Sequence, residues 1–300
     1  MHVFVTGASG QIASGVIPDL ISAGHTVLGL ARSDHSADAV RSLGAEVLRG
    51  DLHDLDRLSA GALSADGVIH LGFPDAERRE GDLAGAVATD LHAIEALGSA
   101  LKGTGKPFIG TNDTAGLVLA GHSGELTEQD GRPGGPRIDA ENTLLGFAEH
   151  EVRAAVVRLP PVVHGRGRYG FASGLIGIAR ARGTSGFVED GNNRWPAAEL
   201  RDVGLLYRLA LESAPAGARL HAVAEEGITL RDIATAIGEQ TDVPVAAVPA
   251  SEVPGHFGFL SAFIGLDNPT ASRITREVLG WNPAHLGLLE DLGRMRSFGV

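Results

Sequence analysis

Two spacings of apolar residues run through the first half of the chain, and they predict different elements. Short runs rich in β-branched residues at Val3–Thr6, Thr26–Leu30, Glu46–Leu48, Gly67–His70, Pro107–Gly110 and Ala154–Arg158 read as strands. Between them, apolar residues recur at helical intervals, including Gln11–Ala23, Ala37–Leu43, Leu83–Leu101 and Ile138–His150. The strand runs are continuously apolar rather than alternating, as expected of strands covered on both faces. Repeated strand–helix units of this length predict an α/β fold, a doubly wound parallel sheet with right-handed crossovers.

After Arg158 the rhythm changes. A Gly/Pro/Arg-rich loop at Pro160–Gly170 leads to helical patterns near Ala172–Arg182, Asp202–Glu212 and Leu230–Gln240, with short mixed elements between them. No internal repeat or linker interrupts the chain. The expected organisation is a sheet domain over 1–158 and a smaller lobe over 159–300. That lobe caps the C-terminal edge of the sheet, where doubly wound folds bind ligands, and the chain has room to cross back to the sheet.

Composition narrows the classes. No run of about eighteen apolar residues occurs, so no membrane span is expected. The chain has no cysteine, which excludes disulfides, thiolate metal ligands and a cysteine nucleophile. A cytoplasmic location is the default expectation, since the first residues lead straight into a strand and a glycine turn. Acids outnumber bases by 37 to 25, a net charge of −12 with no basic block, which argues against nucleic acid or an anionic membrane as partner. The twelve histidines show no metal-ligand spacing, so no metal is expected.

Thr6-Gly7-Ala8-Ser9-Gly10-Gln11-Ile12-Ala13 follows the first strand and opens the first helix. Gly7 and Gly10 allow a sharp turn and a close approach of backbone to a pyrophosphate, which free amides at a helix N-terminus attract. Ser9, Gln11 and Ile12 belong to the same cradle, and the alternative is an ordinary glycine turn. The second strand ends Leu30-Ala31-Arg32-Ser33, where a dinucleotide's adenosine ribose would lie. An acid there suits the 2′-hydroxyl of NAD, whereas Arg32 and Ser33 suit the 2′-phosphate of NADP. Asp34 is the counter-signal, lying further out. NADP(H) is therefore expected over NAD(H).

These residues resemble the short-chain dehydrogenase/reductase superfamily, in its extended and atypical branches of NAD(P)-dependent epimerase/dehydratase-like proteins. The resemblance spans nearly the whole chain: the turn at 6–13, Gly50-Asp51-Leu52, Val68-Ile69-His70-Leu71-Gly72, and Arg158-Leu159-Pro160-Pro161-Val162-Val163-His164-Gly165. It continues with Arg201-Asp202-Val203 and Leu279-Gly280-Trp281-Asn282-Pro283. It implies a Rossmann-type sheet, with Asp51 and Leu52 against the adenine and Leu71 and Gly72 facing the ribose and pyrophosphate. Pro160 to Val162 would lie along the nicotinamide. It also implies possible dimerisation through helices flanking the central strands.

The departures from that family are equally informative. Its catalytic set is a serine after the fifth strand and a Tyr-x-x-x-Lys on the following helix. Alignment puts Asp113 at the serine, Arg137 at the tyrosine and Glu141 at the lysine. The chain's two lysines, Lys102 and Lys106, both precede the fifth strand and cannot substitute. Arg137 and Glu141, four apart, read most simply as a surface ion pair.

Asp113, after a buried strand, is a candidate acid or a turn cap. Thr111 and Thr114 offer hydroxyls to a carbonyl or to the turn. Of the two tyrosines, Tyr169 is the one expected near the nicotinamide, and Tyr207 reads as packing. His164 is either a substrate contact or a hydrogen-bonded loop residue. Trp195 either walls a substrate pocket or sits in the core.

Three functions stay open for a small-molecule substrate: an NADP(H)-dependent reductase of a small, largely apolar carbonyl, imine or activated alkene; an epimerase/dehydratase-type isomerase or lyase; and a non-catalytic NADP(H)-binding regulator.

Overall fold

The computed structural model describes residues 1–74 and 81–295. Its main element is a seven-stranded, all-parallel sheet. Six strands come from the first half: β1 (His2–Thr6), β2 (Thr26–Ala31), β3 (Glu46–Arg49), β4 (Gly67–His70), β5 (Pro107–Asp113) and β6 (Arg153–Leu159). Intervening helices are α1 (Ala13–Ser22), α2 (Asp34–Ser42), α3 (Leu55–Ser64), α4 (Leu83–Leu101), α5 (Ala115–Leu119) and α6 (Ile138–Gly146). A short 3₁₀ turn, Phe147–His150, extends α6 to the end of the predicted helix.

The lateral order is β10-β6-β5-β4-β1-β2-β3, where β10 (Ala218–His221) is supplied by the second half of the chain. The order reverses at β1 and β4, the crevice where doubly wound sheets bind ligands. All six predicted strands form, and β5 and β6 run further at their C-terminal ends than the apolar runs alone indicate. In the added part of β5, Thr111 to Asp113 carry polar side chains yet still pair with Val157 to Leu159 in the β5–β6 ladder.

β1 shows why the sheet is covered on both faces. Val3 and Val5 pack with Val16, Ile17 and Leu20 of α1 and Leu206 of α8 (Leu200–Ser213). Phe4 points the other way, into a core with Leu58, Leu97, Phe108 and Leu144 of α3, α4, β5 and α6. Helices α1 and α8 approach so closely that a Cβ on Gly15 would lie 2.5 Å from the Leu200 carbonyl oxygen. One on Gly204 would lie 2.5 Å from the Gly15 oxygen, so both glycines are needed for the contact.

The rest of the second half forms a smaller lobe. Its strands are β7 (Val162–His164), β8 (Ser185–Val188), β9 (Arg194–Glu199), β11 (Glu225–Thr229) and β12 (Val245–Val248). They make a three-stranded sheet, β11-β9-β7, and a pair, β12-β8. Its helices are α7 (Phe171–Arg182), α9 (Leu230–Thr241), α10 (Val253–Phe257) and α12 (Leu288–Gly293), whereas α11 (Arg273–Leu279) returns to the main sheet and packs against β10 and α8. The segment expected as a loop over Pro160–Gly170 contains β7, because Val162 to His164 pair with Ala197 to Glu199 of β9.

The two C-terminal motifs meet. Trp281 Nε1 donates to the Asp202 carbonyl oxygen at 2.9 Å, and the Asp202 carboxylate accepts from the amides of Ala284 and His285. That contact ties the chain after α11 to the first turn of α8. Among the described residues, no helix is long and apolar enough to cross a membrane.

Candidate functional site

The glycine turn lies at the sheet's crevice. Gly7 adopts φ +64°, and a Cβ there would sit 2.7 Å from the Leu71 carbonyl and the Gly72 amide. Gly7 therefore lets the β1–α1 turn and the segment after β4 approach each other. Gly10 donates to the Gly7 oxygen at 2.9 Å, and its own absent Cβ would contact little but that oxygen. Ile12 occupies the N-cap of α1 and no side chain caps it. The amides of Ser14 and Gly15 bond back to the Gly10, Gln11 and Ile12 carbonyls, so the helix starts directly from the glycine turn with no side chain covering its N-terminal end. Gln11 is committed elsewhere, since Nε2 donates to the Val163 oxygen at 2.9 Å and links the turn to β7.

A buried chain supports the turn from below. The Thr6 hydroxyl accepts from the Gly72 amide at 3.2 Å and lies 2.7 Å from His70 Nδ1. Its proton therefore goes to Nδ1, and His70 presents Nε2–H to Asp90 Oδ1 at 3.1 Å. At the end of β2, Arg32 is exposed and has no ion-pair partner among the described residues. Asp34 is paired instead with Arg49 at 3.1 Å. Ser33 is the N-cap of α2 in a capping box with Ser36, which starts that helix three residues earlier than expected. Asp51 accepts from the His53 amide at 2.9 Å, and Leu52 closes over Gly72.

Beside the turn opens a cavity of about 580 Å³. Its walls are Ile12, Leu71, Gly72 and Phe73 on one side, Leu159, Pro160 and Pro161 on another, and Leu83, Val87, Leu119, Phe171 and Phe263 around them. The polar side chains that line it are Thr111, Asn112, Asp113 and Arg137. Two of these are spoken for. The Thr111 hydroxyl donates to the His70 carbonyl at 2.7 Å and meets the Tyr207 hydroxyl at 2.8 Å. Asn112 is 4% exposed and donates to Glu141 Oε2 at 2.8 Å.

The expected surface pair of Arg137 and Glu141 does not form. Glu141 is buried, and its carboxylate accepts from Arg158 Nε and Nη2 at 3.0 and 2.5 Å and from Arg219 Nε at 2.8 Å. Burial pushes the Glu141 carboxyl up, but the hydrogen bonds and charge of Arg158, with Asn112 and Arg219, outweigh it and hold it below the usual range. Arg158 Nη1 reaches His221 Nε2 at 3.3 Å, and His221 Nδ1–H donates to the Ala271 oxygen at 2.7 Å.

The sequence signal for this network was Arg158 itself. A guanidinium inside the apolar run Arg153–Leu159 is 0% exposed and needs a buried acid. Arg137 instead turns toward the cavity. It sits at φ +60° ahead of α6, donates to the Thr111 carbonyl at 3.0 Å and to Asn112 Oδ1 at 3.4 Å, and stacks 4.3 Å over the Phe73 ring. Its Nε lies 3.8 Å from Asp113 Oδ2, while Asp113 Oδ1 accepts from the Gly116 amide at 2.6 Å.

Several expected site residues lie elsewhere. Tyr169 is 4% exposed in the small-lobe core and does not line the cavity, because the turn before α7 swings it inward. Burial, and then the charge of Asp291, pushes its hydroxyl up. Trp195 and Val162 pack in the same core. His164 is buried with Nδ1 on Asp291 at 2.9 Å, and its Nε2 has no partner among the described residues. Thr114 is buried and accepts from Asn268 at 2.8 Å. Each of these side chains is consumed by packing or by a fixed hydrogen bond.

A doubly wound parallel sheet with a glycine turn at its crevice defines an α/β protein built to hold a dinucleotide. The family model described as "NAD dependent epimerase/dehydratase family" matches residues 3–130. The chain belongs to that family. It is 44% identical over 292 residues to the uncharacterized protein C2A9.02 of Schizosaccharomyces pombe, covering 97% of this chain and 98% of that one. Among solved structures, MoeE5 in complex with UDP-glucose and NAD matches with a TM-score of 0.74 at 23% identity, covering 99% of this chain and 98% of that one. The UDP-glucuronic acid 4-epimerase of Bacillus cereus, in complex with UDP-glucuronic acid and NAD, matches with a TM-score of 0.75 at 17% identity. That match covers 99% of this chain and 98% of the epimerase.

Proposed function

We propose that the protein is an NADP(H)-dependent reductase of a small, largely apolar carbonyl, imine or activated-alkene compound. The observation that carries this reading is the cavity beside the glycine turn, whose walls among the described residues are apolar except at Thr111, Asn112, Asp113 and Arg137, the first two already hydrogen-bonded within the protein. A sugar brings many hydroxyls, more than the few polar side chains among the described lining residues can partner. The turn fits the dinucleotide, since Gly10 leaves its ligand side open and the first turn of α1 is uncapped.

When bound, the nicotinamide supplies the two-electron chemistry. The chain's own residues then position the substrate and manage charge. Leu159, Pro160 and Pro161 form an apolar wall, and the Arg137 guanidinium faces negative charge developing on the substrate oxygen. Asp113 is the one carboxylic acid among the described residues lining the cavity, and it is the proposed proton donor. Arg32, exposed and without an ion-pair partner among the described residues, supports the preference for NADP(H), while Asp34 lies 3.1 Å from Arg49.

The test is a titration of wild type and Arg32→Ala with NADPH and NADH, followed by NADPH consumption with apolar aldehydes, ketones, imines and enones. Loss of one charge-assisted contact should weaken NADPH by about ten- to a hundredfold and leave NADH unchanged. Equal wild-type affinities would remove the cofactor preference. Tight NADPH binding with no consumption across the panel would remove the catalytic assignment.

A further inference from the structure

We infer that the ligand of this cavity carries an anionic oxygen group, a carboxylate or enolate, on an apolar body, and that Arg137 is the residue that receives it. The inference rests on the cavity's being the substrate site, as proposed above, and adds the charge of what enters it.

Three features of Arg137 support this. First, its guanidinium is held rather than mobile. Nη2 is anchored on the Thr111 carbonyl, Nε on Asn112 Oδ1, and the plane rests on Phe73. The Asn112 amide cannot turn over, because its nitrogen is engaged by Glu141, which is clamped in turn by Arg158 and Arg219. The buried carboxylate therefore aims the Asn112 oxygen at Arg137 and positions it.

Second, the bonding capacity of Arg137 is not used up. A guanidinium has five N–H donors, and Nη1 has no acceptor among the described residues. The nearest acid, Asp113, stands at the Nε edge at 3.8 Å with its other oxygen fixed by Gly116, which leaves the far edge open.

Third, the setting is apolar. A cation among Phe73, Leu83, Leu159, Pro136 and Phe263 is worth little to a neutral hydrocarbon. An anion gains a charge-assisted contact there that an uncharged group of the same shape does not. The backbone of Arg137 also sits in the left-handed region at φ +60°, a conformation a non-glycine residue holds only where its surroundings fix it.

The experiment compares two probes of equal length and shape, octanoate and octanamide, by isothermal titration against the full chain, with NADP⁺ present and again without it. Wild type should bind octanoate about ten- to a hundredfold more tightly than octanamide. Arg137→Met, which keeps the apolar stem, should bind the two equally, and Arg137→Lys should keep a preference for octanoate. Circular dichroism of each variant checks the fold, and the wild-type comparison of the two probes stands without any variant.

Equal wild-type affinities, no binding of either probe, or an octanoate preference that survives Arg137→Met would overturn the inference. The reductase reading fails separately, through NADPH titration and consumption. Octanoate selectivity without turnover would sink that reading and leave this one standing.

Discussion

Replacing Glu141 by glutamine tests whether the acid at this position is an anchor or an ornament. The substitution keeps size and shape but removes the charge, and it turns one acceptor oxygen into a donor facing a guanidinium. In the structure that carboxylate is 5% exposed and serves Arg158, Arg219 and Asn112 together. Arg158 is 0% exposed and would keep its charge without a counter-charge. Breaking a buried pair from one side costs about 3–5 kcal/mol, whereas an exposed pair of the kind first expected costs about 1 kcal/mol or less. Equilibrium urea unfolding followed by circular dichroism should therefore show a much lower midpoint for Glu141→Gln with an unchanged slope.

The double variant Glu141→Leu/Arg158→Met should lose less than Glu141→Leu alone, because no uncompensated charge stays buried and Arg219 can turn to solvent. The pH dependence has a definite sign. The folded carboxyl is held below its ordinary range, so its contribution is present above the unfolded pKa and is lost as pH falls through the folded one. Glu141→Gln should lack that acid-side loss. A cost under about 1 kcal/mol for Glu141→Gln, or a double variant worse than the single, would refute the buried-anchor account.

His221 titrates in a different window. Burial, and then the charge of Arg158, brings it from 6.5 to about 4, so the unfolded chain binds more protons than the folded one between those values. Stability should be complete above pH 6.5 and decline as pH falls toward 4, by roughly 3 kcal/mol at most, and His221→Gln should flatten that decline in urea midpoints measured across the range. An unchanged slope would show that other groups carry it. At the glycine turn, Gly7→Ala should lower the melting temperature, since a side chain there meets the Leu71–Gly72 backbone at 2.7 Å in a left-handed conformation. Gly10→Val, whose Cβ meets only the Gly7 oxygen at 3.1 Å, should lower melting less than Gly7→Ala and abolish dinucleotide binding. Retained affinity in a folded Gly10→Val chain would misplace the cofactor.

The fold was legible because its signals are local and repeated. Continuous apolar strands, helical spacing between them and a glycine turn after the first strand all point to one sheet, and the sheet forms with the expected strands. What was hidden depends on pairing across the chain. β7 is three residues long, and only its partner β9 makes Val162–His164 a strand rather than a loop. Ser33 reads as a phosphate ligand from sequence alone, and its role as a helix cap is visible only with Ser36 folded back on it. Asp202 and Trp281 are 79 positions apart, and nothing local in either motif announces their contact.

The site was half legible for a related reason. The absence of a Tyr-x-x-x-Lys pair could be read directly, but not what its absence is coupled to. Spacing alone put Arg137 and Glu141 on one helix face and suggested that they neutralise each other. Arg137 in fact lies just outside the helix, at φ +60°, so the four-residue rule does not bring the side chains together. Freed from each other, the acid goes down to the buried Arg158 and the base goes up to the cavity. Asn112 joins them, with its nitrogen on Glu141 and its oxygen toward Arg137. The buried arginine in β6 therefore helps to orient a cation facing the cavity. A sequence in which Arg158 became apolar while Glu141 remained would be expected to lose the orientation of Arg137 along with the ion pair, because each link in that chain is held by the one beneath it.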